Sequence, residues 1–284
     1  MVIKVRNSGL GIGDQITGLY ACQALKNQNP SDTVEYYCRH PDWAIDVKEI
    51  VCLPYKHYIQ SPPAGIDLYF DSATAAYRSI QKCRKSIYTD RLEIPGLLPS
   101  HPKLKRYHSS KERGLILLFP FTAWPYREWP IEKWFDLEKK LLASNYNVIV
   151  LGVSSKADIL TRFKSASKIG LPAKDVIEMM LEASCIVTND SGMAHLGGMY
   201  KAPVVAVTSV EFTPHHLFSM TSVKTASVPI NRLAPSPFFR KQTSLNAQQG
   251  ALKKVSVEHV FGLISSSVPN RGTRFAYHEQ SQQP

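Results

Sequence analysis

Two apolar runs, Gly114–Phe119 (GLILLF) and Asn147–Leu151 (NVIVL), flank a segment with helical spacing, and that order leaves few folds open. Runs without polar alternation suit strands covered on both faces, as parallel strands are. Between them, Ile131–Ala143 carries Trp134, Leu137, Leu141 and Leu142 on one face, and Pro130 sits at its first turn, where a missing N–H does no harm. Strand, helix and strand in this order require a crossover, so the class is α/β with a parallel sheet. The series continues. Asp175 and Glu178 have capping-box spacing and open a helix over Val176–Ser184. Cys185–Thr188 reads as a strand, Gly192–Tyr200 as a helix, Pro203–Val207 as a strand and Val257–Ser266 as a last helix.

An equivalent series starts at the N-terminus: strand Val2–Arg6, a Gly-rich turn over Asn7–Gly13, and a helix over Asp14–Lys26. Thr33–Cys38 and Asp67–Asp71 follow as strands, then Ser79–Leu92 as a basic helix. Pro95–His108 holds four prolines and glycines without periodicity and marks a boundary. Residues 1–110 and 111–268 are therefore expected to form two Rossmann-like domains, and 269–284, rich in Gln, Ser and Arg, a disordered tail. Ligands of such sheets sit beyond the carboxyl ends of the strands. That rule singles out the loops Asn7–Asp14, Pro120–Trp129, Asn189–Gly192 and Thr208–His216.

The five cysteines are odd in number and scattered, with no Cys-x-x-Cys pair, which argues against a zinc site or a disulfide framework and for a reducing cytosol. No apolar run approaches the ~18 residues of a membrane span, and Met1–Val5 reads as a strand instead of a signal peptide. The expected location is cytoplasmic, with any membrane contact peripheral, at the inner membrane surface. The 34 basic residues against 23 acidic give a net charge of +11, which favours anionic partners such as phosphorylated glycans, membrane surfaces or nucleic acid. Basic groups recur at Lys82/Arg84/Lys85, Lys103/Lys105/Arg106, Arg240/Lys241 and Lys253/Lys254; the plain alternative is solvated surface.

Three segments carry chemistry. Asn189-Asp190-Ser191-Gly192-Met193-Ala194-His195 follows a buried strand and opens a helix, whose free N–H groups suit a phosphate. Ser191 adds a hydroxyl and Gly192 permits close approach to the backbone; helix capping by Asn189, Asp190 or Ser191 is the competing account, and His195 reads equally as a core histidine. Phe121 to Pro130 is a second strand-end loop, where Arg127 offers bidentate donors to a diphosphate; Trp124, Tyr126 and Trp129 read equally as packing at the domain edge, and Trp129 as core. Third, a dinucleotide fingerprint starting at Gly9 would need glycine at position 14, which is Asp14. A carboxylate there repels phosphate and is placed to accept a proton, unless it simply caps the first helix. Glu35 stands about where a ribose-binding acid would lie.

Together these segments resemble glycosyltransferase family nine, the bacterial heptosyltransferases of the lipopolysaccharide inner core. The resemblance is carried by Thr122…Arg127-Glu128-Trp129-Pro130, the strand Asn147–Gly152, Asn189-Asp190-Ser191-Gly192-x-x-His195-Leu196 and, more faintly, Gly11-Ile12-Gly13-Asp14. It implies the GT-B architecture, two Rossmann-like domains facing across a cleft, and inverting transfer without metal or other cofactor from a nucleotide sugar, by default ADP-heptose. It also implies roles: Asp14 as catalytic base, Thr122 and Arg127 gripping the donor phosphates, Asp190 meeting the donor sugar, Ser191 and Gly192 binding the diphosphate, with His195 in the donor set. Lys82, Arg84 and Lys85 fall on the acceptor side, where the expected acceptor is anionic, a lipopolysaccharide core or similar glycan. Two departures stand out: the N-terminal half is short, and Ala234–Arg240 lacks the cysteines this loop often bears in the family. Alternatives are another acceptor on the same fold (a modified DNA base, a protein, a small metabolite) and a non-catalytic nucleotide-sugar or dinucleotide-binding module.

Overall fold

Among the described residues every pairing between strands is parallel, so each connection must cross over a sheet face, and this dictates the layout. The computed structural model describes residues 1–7, 11–60, 66–70, 100–109, 114–208, 223–227 and 249–268. The expected basic helix Ser79–Leu92 with Lys82, Arg84 and Lys85, the pair Arg240/Lys241, the segment Ala234–Arg240, all of Thr208–His216 except Thr208, and the tail lie outside them.

The N-terminal sheet holds β1 (Val2–Asn7), β2 (Thr33–Cys38), β3 (Ile50–Pro54) and β4 (Ile66–Phe70), in the order β3-β2-β1-β4. The C-terminal sheet holds β5 (Leu115–Phe119), β6 (Asn147–Gly152), β7 (Ala166–Ile169), β8 (Cys185–Asn189), β9 (Val204–Val207) and β10 (Val223–Ala226), in the order β10-β9-β8-β5-β6-β7. In this second sheet the strand order reverses between β5 and β8, the switch point at which doubly wound sheets hold their ligands. The first sheet switches in the same way between β1 and β4.

The helices are α1 (Ile12–Gln28), α2 (Tyr55–Gln60), α3 (Ile131–Ala143), α4 (Ala157–Leu160), α5 (Ala173–Glu182), α6 (Gly192–Met199) and α7 (Val257–Ser265). Helix α1 is buried without interruption from Gln15 to Leu25, because the N-terminal sheet covers one side and α6 the other. In consequence one apolar cluster runs through both halves, joining Ile16, Leu19 and Tyr20 to Leu196, Met199 and Tyr200. A second cluster, with Trp129, Trp134 and Leu137, fills the far face of the C-terminal sheet.

Segment 100–109 bridges the halves. The N–H of Lys105 donates to the Asp46 carbonyl, and those of His108 and Ser109 to the carbonyls of Tyr200 and Leu181. The Arg106 guanidinium takes both Asp46 oxygens, at 3.1 and 2.8 Å, and reaches Glu178 of α5 at 2.5 Å. The Tyr200 hydroxyl donates to the same Asp46 carboxylate at 3.1 Å. Burial first, then the neighbouring Asp46 charge, pushes the Tyr200 phenol well above its ordinary pKa. Lys103 meanwhile pairs with Glu49 at 2.8 Å. Of the basic groups singled out in the sequence, Lys103 and Arg106 are thus joined to this protein's own carboxylates and not held for a partner.

Several local expectations change. Helix α5 starts at Ala173 behind Pro172, without a side-chain cap, so Asp175 and Glu178 form no capping box; Glu178 answers Arg106 instead. Pro130 flanks α3 as its N-cap residue, one position before the first turn, and Leu142 is exposed while Trp134, Leu137 and Leu141 are buried. The N-cap position of α1 is Gly11, and Asp14 lies three residues on, within the first turn. The strand expected at Asp67–Asp71 is β4, Ile66–Phe70, with β3 interposed before it.

Candidate functional site

Helix α1 begins where β1 ends and α6 where β8 ends, and the packing of α1 on α6 brings the two starts together. Glycine is required at both. A Cβ on Gly192 would stand 2.8 Å from the Ile12 Cβ and 2.9 Å from the Gly13 nitrogen, and one on Gly13 would stand 3.0 Å from the His195 ring. The space beside Gly192 is thus filled by the opposite half of the protein. The starts of two helices, with the positive ends of their dipoles, thus face one place.

That place is a cavity of about 970 Å³, and every described residue expected at the site lines it: Asp14, Thr122, Arg127, Asp190, Ser191, Gly192 and His195. The volume lies near the upper end of small-molecule sites, roughly 300–1,000 Å³. The three acceptor-side residues, Lys82, Arg84 and Lys85, lie outside the described residues.

The two switch-point loops are tied by Asn189, which is fully buried. Its Oδ1 accepts the Trp129 N–H at 2.9 Å, and its Nδ2 donates to the Pro120 carbonyl at 2.7 Å. Of the three candidate caps it is Ser191 that caps α6, accepting the Met193 N–H at 3.2 Å while its hydroxyl meets that of Thr188 at 2.9 Å. The Thr122 hydroxyl serves its own loop, donating to the Trp124 carbonyl at 2.7 Å, and the Thr122 N–H is held by Glu128 at 3.0 Å. Trp129 is core, as expected, whereas Trp124 is 56% exposed at the cavity wall.

Arg127 ends a 3-10 turn over Pro125–Arg127 and lies 3.7 Å from the Asp190 carboxylate. Burial raises the Asp190 pKa above its ordinary value, and the Arg127 charge partly opposes this. His195 reaches across to Gly13 and lines the cavity, so it is no ordinary core histidine. Glu35 accepts the Tyr37 hydroxyl at 2.7 Å and is not among the lining residues.

Among the lining residues without a signal in the sequence are Thr17, Trp43, Lys156 and Lys168. Lys156 follows β6, with its ammonium 5.4 Å from the Phe121 ring, and Lys168 is registered opposite Leu151 on β7. Among the described residues, no three His, Cys, Asp or Glu side chains group as ligands for a metal ion, and no helix is long and apolar enough to cross a membrane.

Two facing parallel α/β sheets with a cavity between their strand ends are the GT-B architecture, and solved structures of that architecture align with the chain. The E. coli ADP-heptose lipopolysaccharide heptosyltransferase II aligns with a TM-score of 0.67 at 14% identity, over 93% of this chain and 98% of that one. A family 9 glycosyltransferase from Veillonella parvula aligns at 0.68 and 13% identity, over 93% and 96%. The E. coli heptosyltransferase WaaC with ADP aligns at 0.63 and 11% identity, over 94% and 100%. At these identities the likeness is one of fold. No curated protein sequence matches the chain. The family is fixed by sequence: residues 77–247 match glycosyltransferase family 9 (heptosyltransferase), and the chain belongs to that family.

Proposed function

We propose that this glycosyltransferase inverts the anomeric centre and needs no metal, moving a sugar from a nucleoside diphosphate donor in the C-terminal half to an acceptor hydroxyl. The carrying observation is the convergence of the α1 and α6 starts, one bearing Asp14 and the other Ser191 and Gly192, in a cavity that also holds Arg127. In the reaction, Asp14 takes the proton of the acceptor hydroxyl as its oxygen bonds to the anomeric carbon. The bond from that carbon to the diphosphate oxygen breaks on the opposite face, and the nucleoside diphosphate leaves with the bonding pair. Helix N–H groups, the Ser191 hydroxyl and Arg127 answer the charge that develops there, the part a metal ion plays in other transferases. Thr122 shapes the loop over the diphosphate, Asp190 and His195 face the sugar, and Lys156 and Lys168 add positive charge on the β6–β7 side.

ADP-heptose is the first donor to test, because the heptosyltransferase II above is named for it and WaaC was solved with ADP. The net charge of +11 supports an anionic acceptor, reached from the cytoplasm at the inner membrane surface, with Lys82, Arg84 and Lys85 as candidate contacts. Calorimetric titration of ADP and ADP-heptose, with and without a chelator, tests the donor site. Binding is expected in both conditions, weakened in Arg127→Ala by about 1.5–3 kcal/mol. An absolute requirement for magnesium would overturn the metal-free donor site.

A further inference from the structure

We infer that Asn7 and Tyr36 are positioning residues for Asp14, a buried amide–phenol pair that fixes the first turn of α1 and through it the carboxylate lining the cavity. The inference rests on the reading of Asp14 as the base. Asn7 is the last residue of β1 and is fully buried, as is Tyr36 on β2. Buried polar side chains keep their place only with partners, and here the partners are informative. The Asn7 Nδ2 donates to the Asp14 carbonyl at 2.9 Å and to the Tyr36 hydroxyl at 2.6 Å. That hydroxyl donates in turn to the Gln15 carbonyl at 2.8 Å, and the Thr17 hydroxyl to the Asp14 carbonyl at 2.8 Å.

Carbonyls in the first turn of a helix already have N–H partners one turn on, so these side-chain donors are not needed to complete the helix. What they add is orientation. Asp14 and Gln15 are held to the sheet by β1 and β2, independently of α6. Gly18 marks how closely the phenol is fitted, since a Cβ there would lie 2.1 Å from the Tyr36 hydroxyl oxygen. Glycine is unfavourable inside a helix, and the passage of this side chain accounts for it. Burial keeps the Tyr36 phenol well above its ordinary pKa, so it stays a donor throughout the working range.

The test is a double-mutant cycle of Tyr36→Phe and Asp14→Asn, with Thr17→Val as a second, milder variant and Thr17→Ser as its rescue. Because displacements of about 1 Å cost up to about 100-fold in rate, Tyr36→Phe is expected to lower kcat about tenfold or more, with donor Kd unchanged within about twofold. In the Asp14→Asn background the same change should alter the residual rate less than about twofold, since the group being positioned is gone. Thr17→Val should lower kcat in the same sense, and Thr17→Ser restore it. A merely structural role predicts an equal fractional loss in both backgrounds and overturns the inference. So does wild-type kcat in Tyr36→Phe and Thr17→Val while Asp14→Asn is crippled, an outcome that leaves the base in place. Near-native turnover in Asp14→Asn removes the base and the positioning inference together.

Discussion

Gly192→Ala perturbs the feature on which the site depends, the apposition of the α1 and α6 starts. The new methyl would stand 2.8 Å from the Ile12 Cβ, 2.9 Å from the Gly13 nitrogen and 3.3 Å from the Ile12 Cγ2. Ordinary carbon contacts lie near 3.5–4.0 Å, so the deficit is about 0.7 Å, and one obstacle is backbone that cannot rotate aside. Overpacking of this kind costs about 1–3 kcal/mol, which lowers the melting temperature by about 2–5 °C in a chain of this size. The relief available is to part the two helices, which moves Asp14 away from Ser191. A shift approaching 1 Å is expected to reduce kcat about 10- to 100-fold, beyond what the stability loss explains. Gly262→Ala is the control: in α7, where the methyl meets nothing within 4 Å, it should gain about 0.5–1 kcal/mol from helix propensity and leave kcat untouched. Thermal melts with steady-state kinetics of both variants decide the matter. Wild-type stability and turnover in Gly192→Ala would refute the close packing of the two starts.

Two further outcomes follow from the charges. Arg106→Met leaves the Asp46 carboxylate, 6% exposed, with the Tyr200 hydroxyl but without a cation, and frees Glu178, while Arg106 itself is 39% exposed. A loss between the exposed and buried limits, about 2 kcal/mol, is expected in chemical denaturation, and Arg106→Lys should recover only part of it. Burial raises the Asp190 pKa, so the folded state holds that proton more tightly than the unfolded chain, and ionisation above the ordinary carboxylate range costs stability. Asp190→Asn should therefore melt higher than wild type at pH 7, with the gap closing as pH falls below about 4, and it should lose transfer activity. A gap of the same size at both pH values would contradict the assignment.

Much of the C-terminal half was legible because its central strands are apolar from end to end. β5 and β8 are buried at every position, and a run such as LILLF has no alternative use in an α/β chain. β3 was not legible: it is short, half-exposed, closes on Pro54 and lies at a sheet edge, so it shows neither alternation nor an apolar run. At the site, Asp14, Arg127 and Ser191 announce themselves through position at strand ends. Asn189 does not, because a capping asparagine and one that ties two loops look alike locally, and its partner Trp129 is 60 residues away in sequence. Lys156 and Lys168 were invisible for a related reason. A lysine on its own reads as surface, and only the adjacent ends of β6 and β7 give these two a common cavity. Arg106 was read with its basic neighbours as a charge cluster, whereas its meaning lies in two carboxylates brought from opposite halves.

The central claim is that Asp14 accepts the proton, and Asp14→Asn measures it most directly. Asparagine keeps the size and polarity of the side chain, and the N-cap position of α1 is Gly11 and not this residue, so the fold should be retained. Losing general-base catalysis costs about 10²–10⁴ in rate, and kcat for transfer should fall by that much. Donor Kd should stay close to wild type, because the grip belongs to Arg127 and the α6 start. Turnover within about threefold of wild type would contradict the account, since no group lost in this variant could then be the base.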